Sequence, residues 1–168
     1  MQVYLSNMSL GKPNEHKPSV AAINFRELYD IGYRGLVFDV DWTLVKFHKS
    51  EIDPVTSSAL ESAVNIGFRA VALSNWSDVR YRELACFLPF GALRAFPPKP
   101  NPEGFLAVFD YLGVKPDQAV VIGDRILTDV WGGNSAGAYT IYVDPFPANG
   151  DPVKINVVRM VERVLWLK

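Results

Sequence analysis

Two aspartates stand two positions apart at the end of an apolar run, in the stretch VFDVDWTLV of residues 37 to 45. Side chains alternate along an extended segment, so the carboxylates of Asp39 and Asp41 start out on the same side. At about 6 Å and an effective dielectric near 20, their repulsion is roughly 3 kcal/mol, which calls for something cationic beside them. Ser74 and Asn75 follow the apolar run RAVAL, and Asp124 follows QAVVIG, with Asp129 five residues on. Lys99 stands just ahead of Asn101 and Pro102, a pair that opens a helix, and a lysine beside a helix start makes a place for an anion.

Singly, most of these residues also have ordinary readings. Asp124 reads as a turn residue, Asp129 as a helix cap, Thr43 as a turn cap, and Ser74 and Asn75 as caps for a helix near Ser77. His16 and His48 lie in polar, charged stretches and read as solvated. Cys86, in the helical pattern after RELA, reads as a buried structural thiol. GGNSAG lacks both the Lys-Ser/Thr ending of a phosphate loop and the glycine spacing of a dinucleotide fingerprint, so it reads as a site of close helix packing.

The elements that must position the polar residues alternate in type. A helix is expected from a cap at Ser19 through VAAINFRELYDI to Gly32, then the strand GLVFDV. Asp53 and Pro54 cap PVTSSALESAVNI, which Gly67 ends before RAVAL. Ser77 would cap DVRYRELACFL; ALRAF is a short strand, and Asn101 and Pro102 start a helix that Gly113 stops. QAVVIG, a loop and helix over DRILTDVWGGNSAG, the strand AYTIYV and a last helix after Asp151 and Pro152 complete the pattern. Strands joined by helices imply an α/β fold, a mainly parallel sheet with right-handed crossovers and helices on both faces. In such sheets ligands gather outside the carboxyl ends of the strands, which is where Asp39, Asp41, Ser74 and Asp124 fall.

The whole chain sets outer limits. Its 168 residues, 49% hydrophobic and 21% charged with a formal net charge of -1, suit one domain, and no global field marks a nucleic-acid partner. Residues 1–18 read as a flexible arm and 19–168 as a single domain. No stretch reaches the roughly 18 apolar residues needed to span a bilayer, and MQVYLSNMSL makes a poor secretory signal.

The four motifs in order resemble those of the haloacid-dehalogenase (HAD) superfamily: DVDWT at 39–43, Ser74 in ALSN, Lys99 in PKP and GDRILTD at 123–129. GDRILTDVWGGNSAGAYTIYVDP, PKPNPEGF and the helix-first start look like the capless subfamily IIIA. Within it they look like the YqeG-type group that includes mitochondrial phosphatidylglycerophosphate phosphatase. Trp42 departs from that group, which usually has Asn or a small residue there; packing over the core beside the loop is the favoured reading of its ring.

The resemblance implies a three-layer Rossmann-like core and a Mg2+-dependent phosphatase. Asp39 would be the nucleophile, forming an aspartyl phosphate, and Asp41 the acid and base. Asp39, the backbone carbonyl of Asp41 and Asp124 would hold Mg2+. Thr43, Ser74, Asn75 and Lys99 would order or bind the phosphoryl group, with Asp129 orienting Lys99 or a water from behind.

The spacings from Thr43 to Ser74 and from Ser74 to Lys99 leave no room for a large cap, so an open site facing a large substrate is expected. The group implies phosphatidylglycerophosphate as substrate and phosphatidylglycerol as product. A soluble phosphomonoester or a phosphorylated macromolecule is the alternative, and a non-catalytic or receiver-like phosphoacceptor domain a remote one. Trp42, Phe47, the loose N-terminal arm and the basic residues Lys154, Arg159 and Arg163 of the last helix suggest peripheral membrane contact, with burial of that helix in the α/β layer the equal alternative. The expected location is the cytoplasm or a membrane surface, or the mitochondrial matrix for a eukaryotic source.

Overall fold

The computed structural model describes residues 11–45, 51–75 and 86–146. Within them, strands β1 (Glu15–Lys17), β2 (Gly35–Phe38), β3 (Arg69–Ser74), β4 (Gly91–Arg94), β5 (Ala119–Gly123) and β6 (Tyr139–Val143) form one sheet in the order β1-β6-β5-β2-β3-β4. Every pairing is parallel. Four α-helices accompany it among the described residues: α1 (Phe25–Asp30), α2 (Pro54–Ile66), α3 (Pro102–Leu112) and α4 (Trp131–Ser135).

Strands buried on both faces read as continuous apolar runs, and their alternation feeds two separate cores. Leu36, Phe38, Val120 and Ile122 pack on one side with Phe25 and Leu28 of α1 and Leu60 and Ala63 of α2. Val37, Val71, Leu73 and Val121 pack on the other with Phe105, Val108, Phe109 and Leu112 of α3. The sheet is therefore the middle of three layers, as the sequence pattern implies.

Helix ends follow local chemistry closely. The Asp53 carboxylate accepts from the backbone N–H groups of Val55 and Thr56 at 3.1 and 3.0 Å, and Gly67 closes α2 at φ 115. Asn101 opens α3 by accepting from the Glu103 N–H at 2.9 Å, and Gly113 ends it in the left-handed region. The first helix differs from expectation. Ser19 makes no side-chain cap; a 3-10 turn over Val20–Ala22 is broken by extended Ile23, and Asn24 caps α1 by accepting from the Glu27 N–H at 3.2 Å.

Of the flexible arm expected over residues 1–18, the part from residue 11 needs correction, because Glu15–Lys17 is the edge strand β1, paired with Ile141, Tyr142 and Val143 of β6, while residues 1–10 lie outside the described residues. Asn14 gives its N–H to the Thr140 carbonyl at 2.9 Å and accepts from the Thr140 N–H at 2.8 Å. The Asn134 carboxamide donates to the Lys12 carbonyl at 2.9 Å. A segment reading GKPNEHKP has no strand propensity of its own; it is held by an edge and by buried amides that belong to residues more than a hundred positions away.

Cys86 also departs from expectation: it is exposed, in the turn leading to β4, so 86–88 do not continue a helix. The bulk of the helix expected after Ser77, the last helix, His48 and Phe47 lie outside the described residues. Gly132 and Gly133 do serve close packing. A Cβ on Gly132 would lie 2.3 Å from the Phe105 ring, and one on Gly133 would lie 2.8 Å from Thr140.

Candidate active site

The chain leaves β2 for β3 on one side of the sheet and β5 for β6 on the other, so the crevice between neighbouring β2 and β5 is a topological switch point. Asp39 and Asp124 are the residues immediately past these two strands. The Asp39 N–H still bonds the Ile122 carbonyl at 2.8 Å, which pins the acid to the end of the sheet.

Beyond Asp39 the chain turns sharply. A bridge joins Asp41 to Val45, the Trp42 N–H bonds the Val45 carbonyl at 2.7 Å, and the N–H groups of Leu44 and Val45 return to the Val40 carbonyl. The strand stops at Phe38, and Asp41, on the turn beyond it, is not one of the three carboxylates described next. Trp42 takes φ 61, a left-handed conformation that costs a bulky residue roughly 1–2 kcal/mol. Its ring is buried, and burial of so large an apolar surface offsets a backbone cost of that size.

Oxygens of Asp39, Asp124 and Asp129 lie within 4.8 Å of one another. Lys99 opposes them from the loop between β4 and α3. Its ammonium donates to Asp39, to Asp129 at 2.7 Å and to the Leu73 carbonyl at 3.0 Å, so all three protons have acceptors. Thr43 Oγ1 lies 3.4 Å from both Asp39 Oδ2 and Asp124 Oδ1. With a single proton it serves one carboxylate at a time. Asn75 turns its carboxamide to the Lys99 backbone, accepting from its N–H at 2.8 Å and donating to its carbonyl at 3.0 Å. Ser74 ends β3 half-buried, its carbonyl taking the Ala95 N–H at 2.8 Å.

These contacts fix the charges. Burial pulls the Lys99 ammonium toward neutrality, but Asp129 and Asp39 outweigh it and hold the lysine firmly charged. Burial pushes the Asp129 carboxyl up to about 6, and Asp39 pushes the same way; Lys99 and the Arg125 N–H offset this only in part. One ammonium does not satisfy three crowded carboxylates. The group consists of hard oxygen donors, which suit Mg2+ rather than a thiolate-seeking metal, so the residues present fit the ion that the motifs imply.

The structure thus gathers Asp39, Thr43, Lys99, Asp124 and Asp129 into direct contact, with Asn75 one step behind and Asp41 on the adjoining turn. Two contributors escape reading from the sequence. The Leu73 carbonyl is backbone and leaves no signal. Gly123, quoted only as part of a motif, has a definite reason: a Cβ there would lie 2.4 Å from Asp129 Oδ2.

Residues 97–145 match the family described as HAD-hydrolase-like. The chain is 31% identical over 170 residues to phosphatidylglycerophosphate phosphatase 1 of Chlamydomonas reinhardtii, a chloroplastic protein, covering 96% of this chain but 62% of that longer one. It is 30% identical over 152 residues to the probable phosphatase YqeG of Bacillus subtilis, covering 90% of this chain and 87% of that one. At the level of fold, a HAD phosphatase from Thermococcus onnurineus superposes with a TM-score of 0.50 and 24% identity over 61% of this chain and 49% of its own.

Proposed function

The chain belongs to the HAD-like hydrolase family, and from that premise we propose that it is a Mg2+-dependent phosphomonoester hydrolase whose substrate is phosphatidylglycerophosphate. The observation that carries the reading is the contact set at the crevice: three carboxylates, a charged buried lysine and a hydroxyl brought together at one rim of the sheet. The substrate rests on the similarity to a protein of that named activity over 96% of this chain.

Asp39, Asp124 and the Asp41 backbone carbonyl would hold the ion, with Asp129 beside them. Bound Mg2+ would neutralise the charge that otherwise keeps a carboxylate from approaching an anionic phosphate. Asp39 attacks phosphorus in line; the bond to the ester oxygen breaks, and an aspartyl phosphate forms. Asp41 gives its proton to the departing alkoxide, then takes one from the water that hydrolyses the intermediate. Lys99 and Ser74 bind the phosphoryl oxygens, and the Thr43 hydroxyl orders the Asp39 and Asp124 carboxylates. Asp129 keeps Lys99 charged and aimed.

Such a headgroup would be met at a membrane surface, and no described helix is long and apolar enough to cross a membrane. Turnover measured side by side on phosphatidylglycerophosphate in vesicles and on a panel of soluble phosphomonoesters tests the reading. Strong preference for the lipid is expected. Preference for a soluble compound by a wide margin rejects the lipid and keeps the hydrolase.

A further inference from the structure

We propose that Asn75 is a positioning residue for Lys99, clamping the lysine's backbone so that its ammonium meets the carboxylates and the phosphoryl group together. The role toward phosphate rests on the function proposed above; the clamp itself does not. One side chain satisfies both backbone polar groups of one residue, 2.8 Å to the N–H and 3.0 Å to the carbonyl, the pair of bonds that a neighbouring strand would supply.

No strand supplies them here. The ladder between β3 and β4 ends at Arg94, and the last bond beyond it runs from the Ala95 N–H to the Ser74 carbonyl. Lys99 lies five residues past β4 in the stretch FPPKP, where Pro97, Pro98 and Pro100 carry no N–H. Lys99 therefore brings one of only two backbone donors in that stretch, and Asn75 takes it.

The loop also presses on the helices beneath it. A Cβ on Gly104 would lie 2.3 Å from the Pro97 carbonyl, and one on Gly132 3.0 Å from the Pro100 carbonyl. Helix contact sets how deep the loop sits; Asn75 sets its register along β3. A four-carbon stem is flexible, and an ammonium serving three acceptors at once needs its backbone in one place.

The test uses the full chain with inorganic phosphate and Mg2+ in titration calorimetry, for Asn75→Ala, Lys99→Ala and the double variant. Asn75→Ala is expected to weaken phosphate binding by about tenfold, the worth of two modest hydrogen bonds. Because Asn75 acts through Lys99, the double variant should bind no more weakly than Lys99→Ala alone. An additive loss would mean direct contact between Asn75 and phosphate, and unchanged binding in Asn75→Ala would mean a structural amide only; either overturns the proposal.

A readout independent of phosphate is the NMR signal of the Lys99 side-chain ammonium, protected from solvent exchange by its burial and three acceptors and assigned by its loss in Lys99→Ala. It should broaden or vanish in Asn75→Ala. A signal that changes so while phosphate fails to bind keeps the clamp and removes the phosphatase reading, whereas an unaltered signal removes the clamp. Should Asn75→Ala not fold, Asn75→Asp keeps the acceptor and loses the donor, and an ammonium signal unchanged from the parent's would equally reject the clamp.

Discussion

At the scale of single residues the site is a problem of charge. Asp39→Asn keeps shape and hydrogen bonding to Lys99 but removes the proposed nucleophile, and purified protein should lose at least about a thousandfold in turnover. Lys99→Met poses the opposite problem, leaving Asp39 and Asp129 crowded without their ammonium. A loss of roughly 3 kcal/mol in chemical denaturation is expected in metal-free buffer, as for breaking a buried ion pair from one side. Asp39, Thr43, Lys99 and Asp124 were legible as a site because their types and order carry the chemistry. The Leu73 carbonyl was not, since backbone atoms are the same in every sequence. Asn75 was legible as polar at a strand end, but which polar group it would face depends on a loop 24 residues away.

At the scale of elements, the helix ends hold the sheet edge in shape. Burial alone would raise the Asp53 pKa, but hydrogen bonds from Thr56 and Val55 outweigh it and hold the carboxyl below its usual 3.8. A depressed carboxylate stabilises the fold above its unfolded-state value, and that stability is lost as pH falls through the lower folded value. Asp53→Ala should accordingly cost about 1 kcal/mol in thermal denaturation at pH 7, with the gap to the parent shrinking as pH is taken below 3.8. Gly104→Ala addresses the loop that carries Lys99. With the Pro97 carbonyl 2.3 Å from the new Cβ, the loop must lift, and about 1–3 kcal/mol of stability should be lost together with turnover.

At the scale of the molecule, the parallel sheet brings acids from β2 and β5 to one crevice and then uses a cation to hold them there. Mg2+ that binds only the folded state should raise its stability by about 2.7 kcal/mol at a hundred times its Kd, read as a rise in melting temperature. Asp124→Ala should abolish that rise without touching either core. The other edge of the sheet depends on β1. Deleting residues 1–17 would expose β6 and strip Asn134 and Thr140, both buried, of the Lys12 and Asn14 contacts. A marked fall in melting temperature is expected, whereas a shed, non-structural segment would leave it unchanged.

By itself the sequence determined the alternation of helix and strand, the caps at Asp53 and Asn101, the turns at Gly67 and Gly113, and the identity of the acids and the lysine, because periodicity, capping and charge are local properties. Tertiary structure alone decided the rest. The edge strand over Glu15–Lys17 exists because β6 offers it a ladder. Asp129, not Asp41, joins Asp39 and Asp124 because the chain turns after Phe38 and Gly123 leaves room for that carboxylate. Asn75 meets Lys99 because the proline-rich loop folds back over the sheet. Each of these is a contact between distant segments, and which distant partners meet is settled by packing rather than by any local run of residues.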